Sequence, residues 1–289
     1  MNSRPIERSW QALLVQLNED PLWQSVFVIG STGSGKTTLC RYLGQELAGR
    51  YRTATVDCDP GQSALGPPTT VGLAWEPWDG DRPLALRFVG ATTPVRHFLQ
   101  TLTGVKRLAE RASEENAEKV VFDSSGYIDT GAGREFHFQM VDLLQPDHLV
   151  VLQENDDMEP LLANFARRKK PQVHRLSPSK AVAGRSATMR RSYREGRFRR
   201  YFETAMPQTL LLNDIGFHGM IPELDNPNSY RNRLISLCDQ RGFIAVLGVT
   251  DKIDLAGSRL QLYAPPFIPE QIASVQFGSI SLDRFGREL

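Results

Sequence analysis

The chain has 289 residues, of which 40% are hydrophobic and 23% are charged, as in a globular protein of one large domain or one domain with a smaller companion. The apolar runs are far too short to cross a bilayer, and the three cysteines have no ligand spacing, so we expect a cytoplasmic protein without membrane contact, zinc or disulfides. The net charge is only +1, but residues 165–200 hold 13 lysines and arginines against one acid, which predicts either a solvated surface or a binding surface for polyanions.

The first two thirds of the chain alternate between helical and strand patterns. The spacing of apolar residues predicts helices at Ile6–Leu17, Lys36–Leu47, Pro94–Ala112 and Gly133–Leu144. Short apolar or β-branched runs predict strands at Ser25–Ile29, Thr53–Cys58, Leu84–Val89, Lys119–Asp123 and His148–Gln153. Strands that alternate with helices favour an α/β fold with a mostly parallel sheet covered by helices.

The pattern changes after the basic segment. Strands without intervening helices are predicted at Gln208–Leu212, Gly242–Val249, Arg259–Tyr263 and Val275–Leu282. We therefore expect one domain over residues 1–206 and a small β-rich region over residues 207–289.

A glycine-rich segment follows the first predicted strand and precedes a helix. Residues 30–37 read GSTGSGKT and match the phosphate-binding pattern G-x-x-x-x-G-K-[ST] in full. Such a loop directs backbone N–H groups at phosphates, its lysine reaches the β- and γ-phosphates, and its last hydroxyl binds Mg²⁺. The pattern predicts a P-loop NTPase that binds ATP through Gly30, Ser31, Thr32, Gly33, Ser34, Gly35, Lys36, Thr37 and Thr38.

Carboxylates stand where predicted strands end. Asp57 and Asp59 close the second strand, point the same way in an extended chain, and are followed by a Pro-Gly turn. Asp123 closes the fourth strand. One carboxylate could hold metal-bound water while another accepts a substrate proton, so we expect Thr37, Asp57 and Asp123 to contact Mg²⁺.

These motifs resemble one known family, the polynucleotide 5′-hydroxyl kinases of tRNA splicing, pre-mRNA cleavage and ribosomal RNA processing. The resemblance covers about residues 26–202, beginning at the P-loop, and suggests a short stand-alone form. Its further segments are Val56–Ser63, Gly66–Thr70, Phe88–Pro94, Asp123–Tyr127 and Met189–Arg197.

The resemblance implies a role for several residues. Asp59, with Gln62, fits the family's D-x-x-Q element, in which the aspartate is the general base for the 5′-hydroxyl. Residues 124–127, Ser-Ser-Gly-Tyr, fit the T-x-G-W clasp that grips the acceptor end, with two departures: Ser for Thr and Tyr for Trp. The substrate contacts implied are Gln62, Ser124, Gly126 and Tyr127, and the substrates are ATP and the 5′-OH ends of RNA or DNA.

A lid of arginines is predicted over about residues 185–204. Arg190, Arg194 and Arg197 fall on one helical face, and the first two fit the family's R-x-x-x-R element. Arginine forks match the oxygens of a transferred phosphoryl group, so we count all three with Lys36 and Asp59 as catalytic. Upstream, residues 167–170 would either neutralise phosphates of a polynucleotide or form a solvated helix end.

Three other functions fit parts of the sequence, and no motif identifies a protein partner. A nucleotide-dependent switch or assembly ATPase would use the same phosphate loop and aspartates, and an RNA-binding adaptor would keep ATP as a structural ligand. A GTP-binding protein would use residues 250–254, TDKID, which superficially resemble a guanine-reading element but more closely resemble a charged turn after a strand.

Overall fold

The computed structural model describes residues 7–20, 22–78, 83–179 and 186–289. Contacts divide the chain into two compact units. The first unit contains Met1–Asp59, Leu73–Leu84 and Val105–Arg185, and the second contains Pro60–Gly72, Ala85–Gly104 and Ser186–Leu289. The expected functional boundary after residue 206 stays a prediction, and the expected first residues of the N-terminal helix and of the lid, Ile6 and Arg185, lie outside the described residues.

The described helices are α1 (Arg8–Glu19), α2 (Lys36–Ala48), α3 (Phe98–Glu114), α4 (Gly131–Leu144), α5 (Glu159–Leu162), α6 (Ala187–Tyr201) and α7 (Pro227–Tyr230). The described strands are β1 (Ser25–Gly30), β2 (Thr53–Asp57), β3 (Thr70–Trp75), β4 (Ala85–Phe88), β5 (Lys119–Asp123), β6 (His148–Leu152), β7 (Gln172–Leu176), β8 (Met206–Leu211), β9 (Gly216–Gly219), β10 (Arg233–Cys238), β11 (Ile244–Asp254), β12 (Arg259–Ala264) and β13 (Ser274–Ser281). Among the residues that the structure describes, every helix is too short or too polar to span a lipid bilayer.

A parallel sheet organises the first unit. Its strands run in the order β2-β5-β1-β6-β7, and each neighbouring pair is parallel. β2 and β6 are buried along their whole length, as expected for a sheet covered on both faces. Trp10, Leu13 and Leu17 of α1 recur at helical spacing and share one apolar core with α2 and the sheet. The predicted α/β fold is confirmed, and the carboxyl ends of β1, β2 and β5 lie along one edge.

The second unit is built on a six-stranded sheet. Its strands run in the order β8-β12-β11-β10-β13-β9, antiparallel except for the pair β13 and β9. Phe198 of α6 and Phe202, which follows the helix, pack with Phe88, Leu234 and Leu247 in a core of this unit. The predicted β-rich C-terminal part is therefore confirmed.

Four of the described strands were not predicted from the sequence, and one described helix begins later than predicted. β3 carries Gly72, β9 has only four residues with a glycine at each end, and β7 is half exposed, so none shows a clear strand pattern. β10 was also missed, although its residues after Arg233 are buried. The helix predicted from Pro94 begins at Phe98, because residues 94–97 form a turn in which the His97 N–H donates to the Pro94 carbonyl.

A pair of buried histidines in the first unit makes stability depend on pH. His148 Nδ1 of β6 lies 3.0 Å from His174 Nε2 of β7. Burial, reinforced by the charge of His148, lowers the pKa of His174 to about 4, and burial also lowers the pKa of His148. Both rings are therefore neutral in the folded protein at pH 7, whereas the unfolded chain takes up protons near pH 6.5.

We expect His174 to contribute a loss of about 2 kcal/mol in the free energy of unfolding between pH 7.5 and pH 5, because its imidazole binds a proton in the unfolded state below pH 6.5 and in the folded state only near pH 4. Urea unfolding at several pH values measures this loss. In His174→Gln the loss between the two pH values should be smaller than in the wild type. Equal pH dependence in both proteins would contradict the assignment to His174.

Candidate active site

The glycine-rich loop lies between β1 and α2 at the carboxyl edge of the parallel sheet. Gly33 and Gly35 have φ values of 83° and 97°, a region that favours glycine. A Cβ at Gly30 would lie 2.7 Å from Ser34 Oγ and 2.9 Å from the Leu152 carbonyl. The glycines therefore permit a tight loop whose N–H groups and helix N-terminus suit a phosphate group.

Lys36 is the first residue of α2 and is buried. Its ammonium group donates to the carbonyls of Gly30 and Ser31 at 2.7 and 2.9 Å. Burial lowers the pKa of Lys36, while the charges of Asp123 and Asp59 oppose that shift. The loop thus holds the lysine beside the carboxylates, and Ser34 Oγ is buried without a hydrogen-bond partner among the described residues.

The predicted carboxylates meet at the ends of β2 and β5. Asp57 pairs in register with Asp123, and the Cys58 N–H donates to the Asp123 carbonyl at 2.9 Å. The Asp59 N–H donates to Asp57 Oδ1 at 3.0 Å, which fixes the turn that carries the half-buried Asp59. Sequence reasoning therefore placed these three acids correctly at neighbouring strand ends.

Asp123 offers a carboxylate oxygen of the kind that binds a divalent cation. Burial raises the pKa of this carboxyl to about 6, although a hydrogen bond with Thr37 and the charge of Lys36 oppose the shift. Its Oδ1 atom is buried without a hydrogen-bond partner among the described residues. An unsatisfied carboxylate oxygen beside a hydroxyl suits Mg²⁺, which takes few protein ligands and retains water.

The predicted clasp, residues 124–127, follows β5 directly. Thr32 Oγ1 donates to the Gly126 carbonyl at 3.3 Å, which ties the clasp to the phosphate loop. Ser124 is buried, whereas Gly126 and Tyr127 are partly exposed at the surface of the first unit.

His137 holds the clasp from α4 and was given no role by the sequence. Its Nδ1 lies 2.8 Å from the Gly133 carbonyl and its Nε2 lies 3.2 Å from the Ser125 carbonyl. Burial lowers the pKa of His137 to about 4, so the ring is neutral and donates to one carbonyl at a time. Its position one helical turn after Gly133 is visible in the sequence, but the contact with Ser125 is not.

Close packing between Gly126 and Thr32 predicts a strong effect of a small substitution. In Gly126→Ala, the new Cβ would lie 2.8 Å from Thr32 Cα and 2.9 Å from Thr32 N, so the phosphate loop must shift. We expect ATP to bind about 10- to 100-fold more weakly, the equivalent of about 1–3 kcal/mol of overpacking.

Isothermal titration with ATP measures the effect of Gly126→Ala on affinity. The matched control is Gly131→Ala, because a Cβ at Gly131 meets no atom within 4 Å. ATP affinity that falls equally in both variants would show that the Gly126–Thr32 contact is not its cause.

The remaining predicted residues belong to the second unit. The loop that carries the half-buried Gln62 is held by α6, where Tyr193 Oη donates to the Ser63 carbonyl at 3.1 Å. Arg197 Nη2 donates to the carbonyls of Ala64 and Gly66 at 3.1 and 2.6 Å. Arg197 therefore braces this loop in the structure.

Arg194 is paired with an acid that sequence reasoning missed. Its Nε and Nη2 atoms donate to the two carboxylate oxygens of Glu288 at 2.5 and 3.0 Å. The two side chains are only 17% and 20% exposed, so the pair is well shielded from water. Arg190 lies one turn earlier on the same helix and is half-buried.

Two segments that the sequence analysis considered as binding elements, residues 167–170 and 250–254, are accounted for by local structure. Arg168 pairs with Asp142 at 2.5 Å and Lys170 pairs with Asp147, near the start of β7 and opposite the carboxyl edge of the sheet. This favours the solvated alternative for residues 167–170. Residues 250–254 lie within β11, with Thr250 buried, so they form neither a guanine-reading loop nor the expected turn.

A phosphate loop with acids at the adjoining strand ends of a parallel sheet defines a P-loop nucleotide-binding protein. The model of the mRNA cleavage and polyadenylation factor CLP1 P-loop family matches residues 30–204. The chain belongs to this family, and the resemblance inferred from its motifs is confirmed.

Relatives of similar length support the same grouping. The polyribonucleotide 5′-hydroxyl-kinase of Methanocaldococcus jannaschii is 24% identical, with 99% of this chain and 94% of that protein covered. The corresponding protein of Pyrococcus furiosus is 25% identical over 91% of this chain and 89% of its own. The solved Clp1p–Pcf11p complex contains a chain with a TM-score of 0.72 and 13% identity, covering 94% of this chain and 78% of that one, which shows the fold.

Proposed function

We propose that the chain is an ATP-dependent polynucleotide 5′-hydroxyl kinase that transfers the γ-phosphate to the 5′-OH end of RNA. The observation that carries the proposal is the placement of Asp59, which is partly exposed and close enough to the buried Lys36 to affect the lysine's pKa. A proton acceptor beside the γ-phosphate position is what transfer to a hydroxyl requires. Family membership and the names of the archaeal relatives support the same activity.

The first unit would bind the donor. Residues 30–38 would surround the phosphates, with Lys36 against the β- and γ-phosphates. Thr37, Asp57 and Asp123 would hold Mg²⁺ directly or through water, and the ion would neutralise charge on the phosphate oxygens. The burial of Lys36, Asp57 and Asp123 excludes water around these groups and strengthens their electrostatic effect.

The acceptor hydroxyl would meet Asp59. Its proton passes to the Asp59 carboxylate as the 5′ oxygen forms a bond to the γ-phosphorus, and the bond from that phosphorus to the bridging oxygen of ADP breaks. Ser124, Gly126 and Tyr127 of the clasp, together with Gln62, would orient the acceptor end, and Tyr127 offers a ring face for stacking.

The lid helix α6 would supply positive charge to the transferred group. Arg190 and Arg194 carry guanidinium forks that can each contact two phosphoryl oxygens. Arg197 donates to the loop that holds Gln62, so we expect it to act partly by positioning the acceptor.

Transfer of label from γ-labelled ATP to short oligonucleotides tests the function. We expect label on 5′-OH RNA and none on 5′-phosphorylated RNA, with 5′-OH DNA assayed in parallel to measure the sugar preference. If ATP binds but no oligonucleotide is labelled, the kinase assignment is wrong and a switch ATPase or an adaptor becomes the better description.

A further inference from the structure

A surface groove in the second unit runs along α6. One part, with a volume of about 530 Å³, is lined by Arg199 and Arg200 of α6 together with Tyr263, Arg284 and Phe285. The last three residues also line an adjoining cavity of about 670 Å³ beside β8, β11 and β12. The two cavities adjoin at Tyr263, Arg284 and Phe285, and we call them together the aromatic groove after Tyr263 and Phe285.

An ordered turn presents Phe285 to solvent. The side chain is 59% exposed, and the guanidinium of Arg284 lies 5.0 Å from its ring centroid. Asp283 Oδ1 accepts the N–H groups of Phe285 and Arg287, each at 2.9 Å, so the turn is fixed from within. An exposed aromatic ring held by a fixed turn offers a face on which a base can stack.

The charges of the groove favour an anionic ligand where it follows α6. Arg199, Arg200 and Arg284 line this part with a single acid, Glu203. The adjoining part is lined by two acids: the Asp283 carboxylate accepts backbone N–H groups, and the Asp251 carboxylate lies 3.8 Å from the Arg231 guanidinium. Neutral side chains that can hydrogen-bond to base edges complete the wall, namely Gln208, Thr209, Asn232 and Gln261.

Arg199 of the groove lies on a different face of α6 from Arg190, the first predicted lid arginine. Arg199 is nine positions after Arg190, which places the two side chains about 180° apart around the helix. A ligand in the groove would therefore contact α6 without displacing Arg190.

We propose that the aromatic groove binds a single-stranded segment of nucleic acid, with bases stacked on Phe285 and Tyr263 and phosphates paired with Arg199, Arg200 and Arg284. Aromatic faces combined with arginines are the usual means of binding single strands without reading a sequence. The proposal rests on the proposed function in one respect, since the strand would be part of the acceptor beyond its 5′ end.

Binding of a fluorescent 20-nucleotide single-stranded RNA, measured by anisotropy without ATP, tests the proposal. The RNA carries a 5′-phosphate, so its binding does not require an acceptor hydroxyl. The binding measurement therefore tests the groove even if the kinase assignment is wrong. We expect Phe285→Ala to weaken binding about 10-fold, as for loss of one stacked base, and Phe285→Trp to retain it. Arg199→Gln should reduce the slope of log affinity against log salt by about 0.7.

Two exposed positions outside the groove provide controls. Ile268→Ala removes a comparably exposed apolar side chain, and Arg107→Gln removes a surface arginine. Both should bind RNA like the wild type, and duplex RNA should bind the wild type more weakly than the single strand. Wild-type affinity in Phe285→Ala, or an unchanged salt slope in Arg199→Gln, would overturn the proposal and favour a protein segment as the occupant.

Discussion

Replacement of Asp59 by asparagine is expected to lower the rate of phosphate transfer by about 10²- to 10⁴-fold, the usual contribution of a general base. Asparagine has nearly the same shape, but its amide cannot accept the proton of the 5′-hydroxyl. Asp59 donates to Asp57 Oδ1 through its backbone N–H, so this hydrogen bond survives the change. ATP affinity should therefore stay within a few fold of the wild type.

Single-turnover transfer from labelled ATP to a 5′-OH RNA separates this effect from product release. Asp225→Asn is a matched control, because Asp225 is exposed and has no assigned part in binding or transfer. Turnover of Asp59→Asn near the wild-type rate would remove Asp59 as the base. A loss of transfer together with a loss of ATP binding would instead assign the residue to the donor site.

The parts of the site that follow from local pattern were predictable. The phosphate loop is recognisable from a short motif, because its glycines either adopt left-handed backbone conformations or pack closely against Ser34 and Leu152. Asp57 and Asp123 could be assigned to one sheet edge because each closes an apolar run. Because parallel strands of one sheet end at the same edge, these two aspartates can be placed near each other from the sequence alone.

Long-range contacts were not predictable from one sequence. Glu288 is 94 residues from Arg194, and no periodicity links a residue near the end of the chain to one helix face. The contact of His137 with Ser125 depends on how α4 packs against the clasp. Residues 250–254 were misread because β11 continues through four polar or charged residues and Ile253. Thr250 and Ile253 are buried, and the segment pairs with β12.

Replacement of Arg194 by glutamine is expected to lower transfer by about 10³-fold or more, the lower limit for loss of an arginine that stabilises a transferred phosphoryl group. Glutamine lacks both the charge and the fork. Arg194→Lys should recover only part of the rate, because an ammonium group cannot bind two oxygens in one plane. The acceptor concentration at half-maximal rate should change less than the maximal rate.

The ion pair with Glu288 supplies a test that separates catalysis from folding. If Arg194 served only to hold Glu288, then Arg194→Gln and Glu288→Gln would break the same pair and lower the melting temperature and the rate alike. If Arg194 contacts the phosphoryl group, Glu288→Gln should match Arg194→Gln in stability but retain transfer near the wild-type rate. In that case the carboxylate competes with the γ-phosphate for one guanidinium, and its removal leaves the arginine available to the substrate. Equal losses of rate in the two variants would assign Arg194 to the fold of the second unit and leave Arg190 as the arginine to examine.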